Sequence, residues 1–367
     1  MSRTRITAAS MLAACLVIAA LLSACGGGGS DDTDSQGVVK PPADPNAPLE
    51  GTLRVFAYED TVTDALLDPF REANPDLEVR TATFNSNQQA AAKLSGGFQA
   101  DVVELCLDEM NPLLARGLIQ PLDPAGVTAW NELAFTDADG VRQDGKVVMV
   151  PLSAGPQGLI YNRDEIPGGV DSFADLFDPA YSDRVALEGD YSLPAIAETA
   201  LVLGYTDPMN LTPEQLSEVG DYLDSHRDQF RSLWRSDSDL VNLFKSGEVV
   251  LADGGPGIAQ RMRDGGVPAE WVAPEEGALS WVCGLAITSD SQNSDAAYGL
   301  INWQASPEAQ AVRAKGGYVV TNPKAMSQVP VKYRKTADPQ SVENAIPETE
   351  PPHYDQWTRT FEQFQAG

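Results

Sequence analysis

Carboxylates are the one reactive group this chain has in abundance. Its 367 residues include 53 Asp and Glu against 25 Lys and Arg, only two histidines (His226, His353) and four cysteines (Cys15, Cys25, Cys106, Cys283). Paired-histidine metal sites and a Ser-His-Asp triad have almost nothing to draw on, so neither a metal nor a cofactor is expected. His226 lies in Asp224-Ser225-His226-Arg227-Asp228 and reads as a solvated surface histidine, while His353 follows Pro351-Pro352 and reads as a loop residue. The turn Gly254-Gly255-Pro256-Gly257, between a strand and a helix, has the form of an anion-binding loop. It lacks the Lys-Ser/Thr of a nucleotide-binding loop, and Asp253 opposes an anion, so it reads as a place where backbone comes close to a ligand. The net charge of −28 repels nucleic acid and attracts small cations, although solubility or a high-salt habitat accounts for it equally well.

The first residues address the chain rather than build its body. Arg3 and Arg5 precede an apolar run over 6–22, then small residues, in the order of an export signal. That run is shorter than the ~20 residues of a membrane-spanning helix. Leu22-Ser23-Ala24-Cys25 resembles the lipobox of bacterial lipoproteins. The resemblance implies a diacylglyceryl group on the Cys25 thiol, cleavage just before it, and anchoring to a membrane in the cell envelope by acyl chains. An ordinary secretory signal cut near Ala24 is the alternative. Removal of 1–24 takes two arginines and no acid, leaving 23 basic against 53 acidic residues, a charge of −30. Cys106 and Cys283 then remain, as a disulfide or as two buried thiols. Residues 26–49, rich in Gly, Ser, Asp and Pro, are expected to be a disordered tether reaching about 25–30 Å.

The elements that position the acids alternate in type. Strands are expected over 52–58, 77–81 and 101–105, with helices carrying Leu66, Leu67 and Phe70, then over 88–94 behind Ser86-Asn87, then over 110–116. Strands over 146–151 and 158–161 open a second body, with helices over 194–203, 213–223, 239–245 and 258–263 and a strand over 248–252. A strand over 281–288 and one helix over 295–315 follow. Strands alternating with helices indicate an α/β fold with a largely parallel sheet, and the length suits about two domains.

In this order the motifs resemble the spermidine/putrescine-binding proteins of bacterial ABC importers, over 53 to about 325. The carriers are Ser86-Asn87 with Ala92-Lys93-Leu94, Gly158-Leu159-Ile160-Tyr161-Asn162, the run from Asp171-Ser172-Phe173 to Pro179-Ala180-Tyr181, Ser246-Gly247-Glu248-Val249, Leu285-Ala286-Ile287, and Gly317-Tyr318 with Asn322-Pro323. The resemblance implies a type II periplasmic-binding-protein fold, each lobe a mixed sheet flanked by helices, with crossings near 151–158 and 281–284. It places a leader at 1–24, a lipidated linker at 25–50, lobe 1 at 51–154 plus 283–327, and lobe 2 at 155–282 plus 328–367.

The resemblance further implies a monomeric binding protein, not an enzyme, that closes on a polyamine-like ligand and delivers it to an ABC permease. Carboxylates would hold the ammonium ends of such a guest and aromatic faces its stem. Residue by residue it points to Tyr58 and Asp60 after the first strand, Asn87, Trp281 and Tyr318. Asp190 and Tyr191 keep one acid of the second-lobe pair, and Pro194 replaces the other. Cys283 stands where the family has a carboxylate and Asp253 where it has a tryptophan, with Asp253 or Glu104 as the compensating acid. The same resemblance brings Cys106 and Cys283 to the cleft floor, where a disulfide is expected. A different small solute, an exported enzyme or a sensor module are the competing readings; the scarcity of histidine and the lack of a nucleophile motif weigh against the enzyme.

Overall fold

The computed structural model describes residues 33–34, 37–190 and 192–367. The expected leader, the lipid-bearing Cys25 and Tyr191 lie outside the described residues.

Lobe 1 is built on β1 (Gly51–Ala57), β2 (Leu77–Thr83) and β3 (Val102–Cys106), with β1 parallel to both neighbours. All five residues of β3 are buried, as parallel strands covered on both faces are. Helix α1 (Asp64–Ala73) turns Leu66, Leu67 and Phe70 inward, and α2 (Asn87–Ser95) starts at Ser86, whose hydroxyl accepts the Gln89 N–H. Where a helix was expected over 110–116, the chain makes a 3-10 turn, Leu107–Glu109, and one short helix, Asn111–Leu114.

β4 (Val150–Asn162) is one thirteen-residue strand where two were expected. Its first half runs antiparallel to β9 (Leu279–Thr288) in the lobe 1 sheet, and β9 continues onto β3. Its second half lies between β7 (Leu251–Gly254) and β8 (Ala269–Val272) in the lobe 2 sheet. β5 (Val185–Glu188) and β6 (Phe230–Trp234) complete that sheet in parallel. The sheet is therefore mixed: parallel within each lobe and antiparallel where β4 and β9 cross.

Helix α3 (Leu193–Val202), with Ile196 and Ala200, packs in the lobe 2 core beside α4 (Pro213–Ser225). Helices α5 (Asp237–Ser246) and α6 (Pro256–Asp264) cover its other side through Leu240, Phe244 and Met262. The helix expected over 295–315 is two, α7 (Ser294–Gln304) and α8 (Pro307–Lys315). Pro307 has no N–H to continue the ladder, and the Ser306 hydroxyl caps the new helix by accepting the Ala309 N–H.

Three further expectations are corrected. The tether ends early: Val39 is fully buried, bridges to Leu122 and accepts the Tyr298 hydroxyl at 2.9 Å, while Leu49 packs on the lobe 1 core. Those apolar side chains find a groove, which composition averaged over 26–49 conceals. His226 is half-buried rather than solvated, with Nδ1 2.8 Å from Tyr222 O and its ring against Tyr222 and Phe177. The segment beyond 327 divides: Val329 and Ala337 pack on α8, while Ile346 and α9 (Tyr354–Ala366) pack on the lobe 2 core, α9 burying Trp357, Phe361 and Phe364 along one helical face.

Candidate functional site

The loop after β1 is shaped by Glu104 on the neighbouring strand β3. Its Oε2 accepts the Tyr58 N–H at 3.0 Å and its Oε1 the Thr61 hydroxyl at 2.8 Å. Both oxygens thus hold the turn that presents Tyr58 and Asp60, and Glu104 itself is buried. Burial pushes its carboxyl up to about 7, assisted by the Asp60 charge and opposed by Arg313 and the two hydrogen bonds. Arg313, also buried, donates to Gln304 Oε1 at 2.5 Å and to Thr61 Oγ1 at 3.4 Å. Glu104 is a positioning group rather than a free cleft carboxylate.

Asp253 is occupied in the same way. Its Oδ1 accepts Trp234 Nε1–H at 2.7 Å and its Oδ2 the Glu188 N–H at 2.9 Å, with the side chain fully buried. Burial raises it to about 7 against those bonds. Asn87 is likewise committed: its N–H and Nδ2 donate to Glu109 Oε2 and Glu109 O at 3.1 and 3.3 Å, and its Oδ1 accepts the Tyr58 hydroxyl at 3.3 Å.

The two crossings bring the remaining expected residues together. Trp281 and Tyr318 are half-buried and meet edge to face, with ring centroids 5.8 Å apart. Trp281 lies across Gly155, where an added Cβ would come within 2.6 Å of the indole, so this position admits only glycine. The Tyr318 hydroxyl is pushed well above its ordinary value of 10.0 by burial, then by the Asp60 and Asp237 carboxylates. Asp237 pairs with Arg261, which puts an ion pair of α5 and α6 beside Asp60 of lobe 1. Cys283 is bonded to Cys106, its register partner on β3. The glycine turn before α6 serves a packing need: Gly257 meets the backbone of Gly316 and Gly317 too closely for a Cβ.

Sequence reading missed a second group of acids. Asp108, Glu109, Glu188 and Glu348 are all buried, and the Asp108 Oδ1 has no hydrogen-bond partner. Asp108 is held well above its ordinary 3.8 by burial, then by Glu348, Glu109 and Glu350. Glu188 is raised by burial, then by Asp190 and Asp253. Exposed Asp190 of lobe 2 acts on both Glu109 and Tyr58 of lobe 1, so this group faces the cleft from both lobes. Among the described residues none of Asp108, Glu109, Glu188 and Asp253 forms an ion pair with Lys or Arg. The Asp108-Glu109 pair directly after a buried strand was the available signal.

A third crossing ties the lobes behind this group. Ile346–Pro347 pairs with the start of β9, and the Glu348 N–H donates to Ser280 O at 2.8 Å. Glu350 accepts Asn111 N–H and Nδ2–H at 2.9 and 2.6 Å, and the Tyr354 hydroxyl donates to Glu109 Oε1 at 2.6 Å. Among the described residues no group of acids, histidines or cysteines has an arrangement that holds a metal ion. Trp281 and Tyr318 meet each other, while the Tyr58 ring packs on Phe84 and its hydroxyl donates to Asn87.

Comparison with known proteins agrees with this architecture. A family model described as bacterial extracellular solute-binding protein matches residues 65–340. The chain is 27% identical over 300 residues to spermidine/putrescine-binding periplasmic protein 1 of Haemophilus influenzae, covering 80% of this chain and 81% of that one. The solved structure of PotD from Streptococcus pneumoniae, in complex with calcium and HEPES, superposes with a TM-score of 0.72 at 21% identity, covering 86% and 99% of the two chains. MotA of A. tumefaciens B6, solved in complex with glucopine, gives 0.70 at 19% identity, covering 86% and 100%. These two structures share the two-lobed fold.

Proposed function

The chain belongs to the bacterial extracellular solute-binding protein family, and from that membership we propose that it captures a linear organic polycation of the putrescine or spermidine type. The observation that carries this reading is the set of buried carboxylates, Asp108, Glu109 and Glu188, which form no ion pair with Lys or Arg among the described residues. Burying several carboxyls together costs several kcal/mol per charge unless protons or a cation neutralise them. An extended polyammonium chain supplies the cation, with Asp60 at one end, Asp108 and Asp190 at the other, and ring faces along the methylenes. The name of the Haemophilus influenzae relative supports the same class of solute.

Capture works through a shift between open and closed lobes. A guest that bridges Asp60 of lobe 1 and Asp190 of lobe 2 favours the closed form by the difference in its contacts with the two states. The closed protein then docks on an ABC permease, held at the membrane by lipid on Cys25. No bond is made or broken in the solute.

A thermal-shift screen tests this, because a ligand stabilises the state it binds by RT ln(1 + [L]/Kd). Putrescine, spermidine, basic amino acids and small organic anions are compared; amines are expected to raise Tm. Elevation by anions alone would remove the cationic assignment. Mass spectrometry of the mature N-terminal peptide tests the anchor: a diacylglyceryl adduct on Cys25 is expected, and an unmodified peptide beginning at Cys25 or later refutes it.

A further inference from the structure

A cavity of about 920 Å³, with none of the cleft acids in its lining, lies between α6 and β8 of lobe 2 and the segment 335–345. That segment packs through Ala337 on α8 and through Val342 on Ala154 and Val319, so the cavity walls come from both sides of the crossing. Its size falls within the range of small-molecule sites. Trp271 forms one wall, half-buried, with its indole N–H pinned to Gly254 O at 2.9 Å, and Pro156 of β4 lies among the other lining residues.

The lining holds two bases, Arg263 and Lys335, and two acids, Glu270 and Asp338. Arg263 donates only to neutral acceptors, Ala269 O at 3.0 Å and Gln260 Oε1 at 2.9 Å. Lys335 is exposed and makes no hydrogen bond or ion pair among the described residues. The two acids in the lining are already engaged: Glu270 Oε1 accepts Arg163 Nη1–H at 2.8 Å, and Asp338 Oδ1 accepts the Gln340 N–H at 3.0 Å. Two cations with no carboxylate partner among the described residues therefore line one cavity beside a fixed indole face.

We infer that this cavity is a second binding site, for a small monocarboxylate with a flat apolar body. The carboxylate is held by Lys335 and Arg263, and the body lies on Trp271. A charge-assisted pair of this kind fixes the head group, and stacking on the indole supplies apolar contact. The site stands apart from the cleft and does not depend on which solute the cleft takes.

The test uses the full mature chain and 4-fluorobenzoate, followed by fluorine NMR and calorimetry. One saturable site is expected, weakened about tenfold in Lys335→Gln and for the uncharged 4-fluorobenzamide. Trp271→Leu is expected to weaken it as well, whereas Asp60→Asn and saturating spermidine leave it unchanged. The Lys335 side chain makes no other hydrogen bond or ion pair among the described residues, so Lys335→Gln reports on binding. The assignment is overturned by absence of saturation at millimolar fluorobenzoate, by equal binding of acid and amide, by an unaffected Lys335→Gln variant, or by displacement with spermidine.

Discussion

Replacing Glu104 by Gln separates the electrostatic cost of this buried acid from its structural use. The carboxyl moves from an ordinary 4.5 to about 7 on folding. Because the folded state holds the proton more tightly, the contribution to stability is fully present below pH 4.5, falls as pH rises, and is exhausted above pH 7. At ~1.4 kcal/mol per tenfold of proton affinity, the loss across that window is roughly 3 kcal/mol. A glutamine does not titrate but keeps an oxygen for the Tyr58 N–H and an amide for Thr61. Whatever fixed offset the substitution brings, the difference between variant and wild type then moves about 3 kcal/mol in the variant's favour between pH 4 and pH 8. For a chain of this size that is roughly 5 °C in Tm. Calorimetry at half-unit pH steps, without amines in the buffer, reads it. A difference that stays constant over the whole range would show that Glu104 ionises in the folded protein as it does in water.

Other expected outcomes follow from the same contacts. The Cys106–Cys283 bond closes a loop of 177 residues, which in the chain-entropy picture stabilises by about 5 kcal/mol; a Cys106→Ser, Cys283→Ser double variant is expected to unfold at clearly lower urea, and an unchanged midpoint contradicts this. Native protein is expected to show no titratable thiol at 106 or 283 before reduction. Asp60→Asn is expected to weaken spermidine about tenfold or more, the value of a hydrogen bond to a charged group, with Tm of the ligand-free protein little changed. Gly155→Ala pushes a Cβ into the Trp281 ring and is expected to reduce both stability and amine affinity; retention of both would mean that the indole does not lie across β4 in solution.

Much of the architecture is legible in the residues. Alternating strands and helices and the Ser86 cap stand where pattern and capping chemistry place them, and the crossings near 151–158 and 281–284 where the resemblance implies them. The pairing of Cys106 with Cys283 follows from the resemblance, since neither lies near the other in sequence. Boundaries fail where two local signals compete: Ser306-Pro307 ends a helix inside one apolar pattern, and Val39 docks from a segment whose average composition is polar. What the sequence conceals is the commitment of its acids. Glu104 and Asp253 look like free acids in sequence, and only coordinates show both oxygens of each already taken. Asp108 and Glu348 lie 240 residues apart, and no spacing rule links positions joined by a third crossing.

Calorimetric titration of the mature chain with spermidine, at near-neutral pH and moderate salt, asks most directly whether two lobes close on a polycation. Saturable one-to-one binding is expected, abolished or strongly weakened when Asp60 and Asp190 are both changed to Asn. Absence of heat with every amine, alongside saturable binding of an organic anion that the double variant leaves intact, would contradict the cationic cleft.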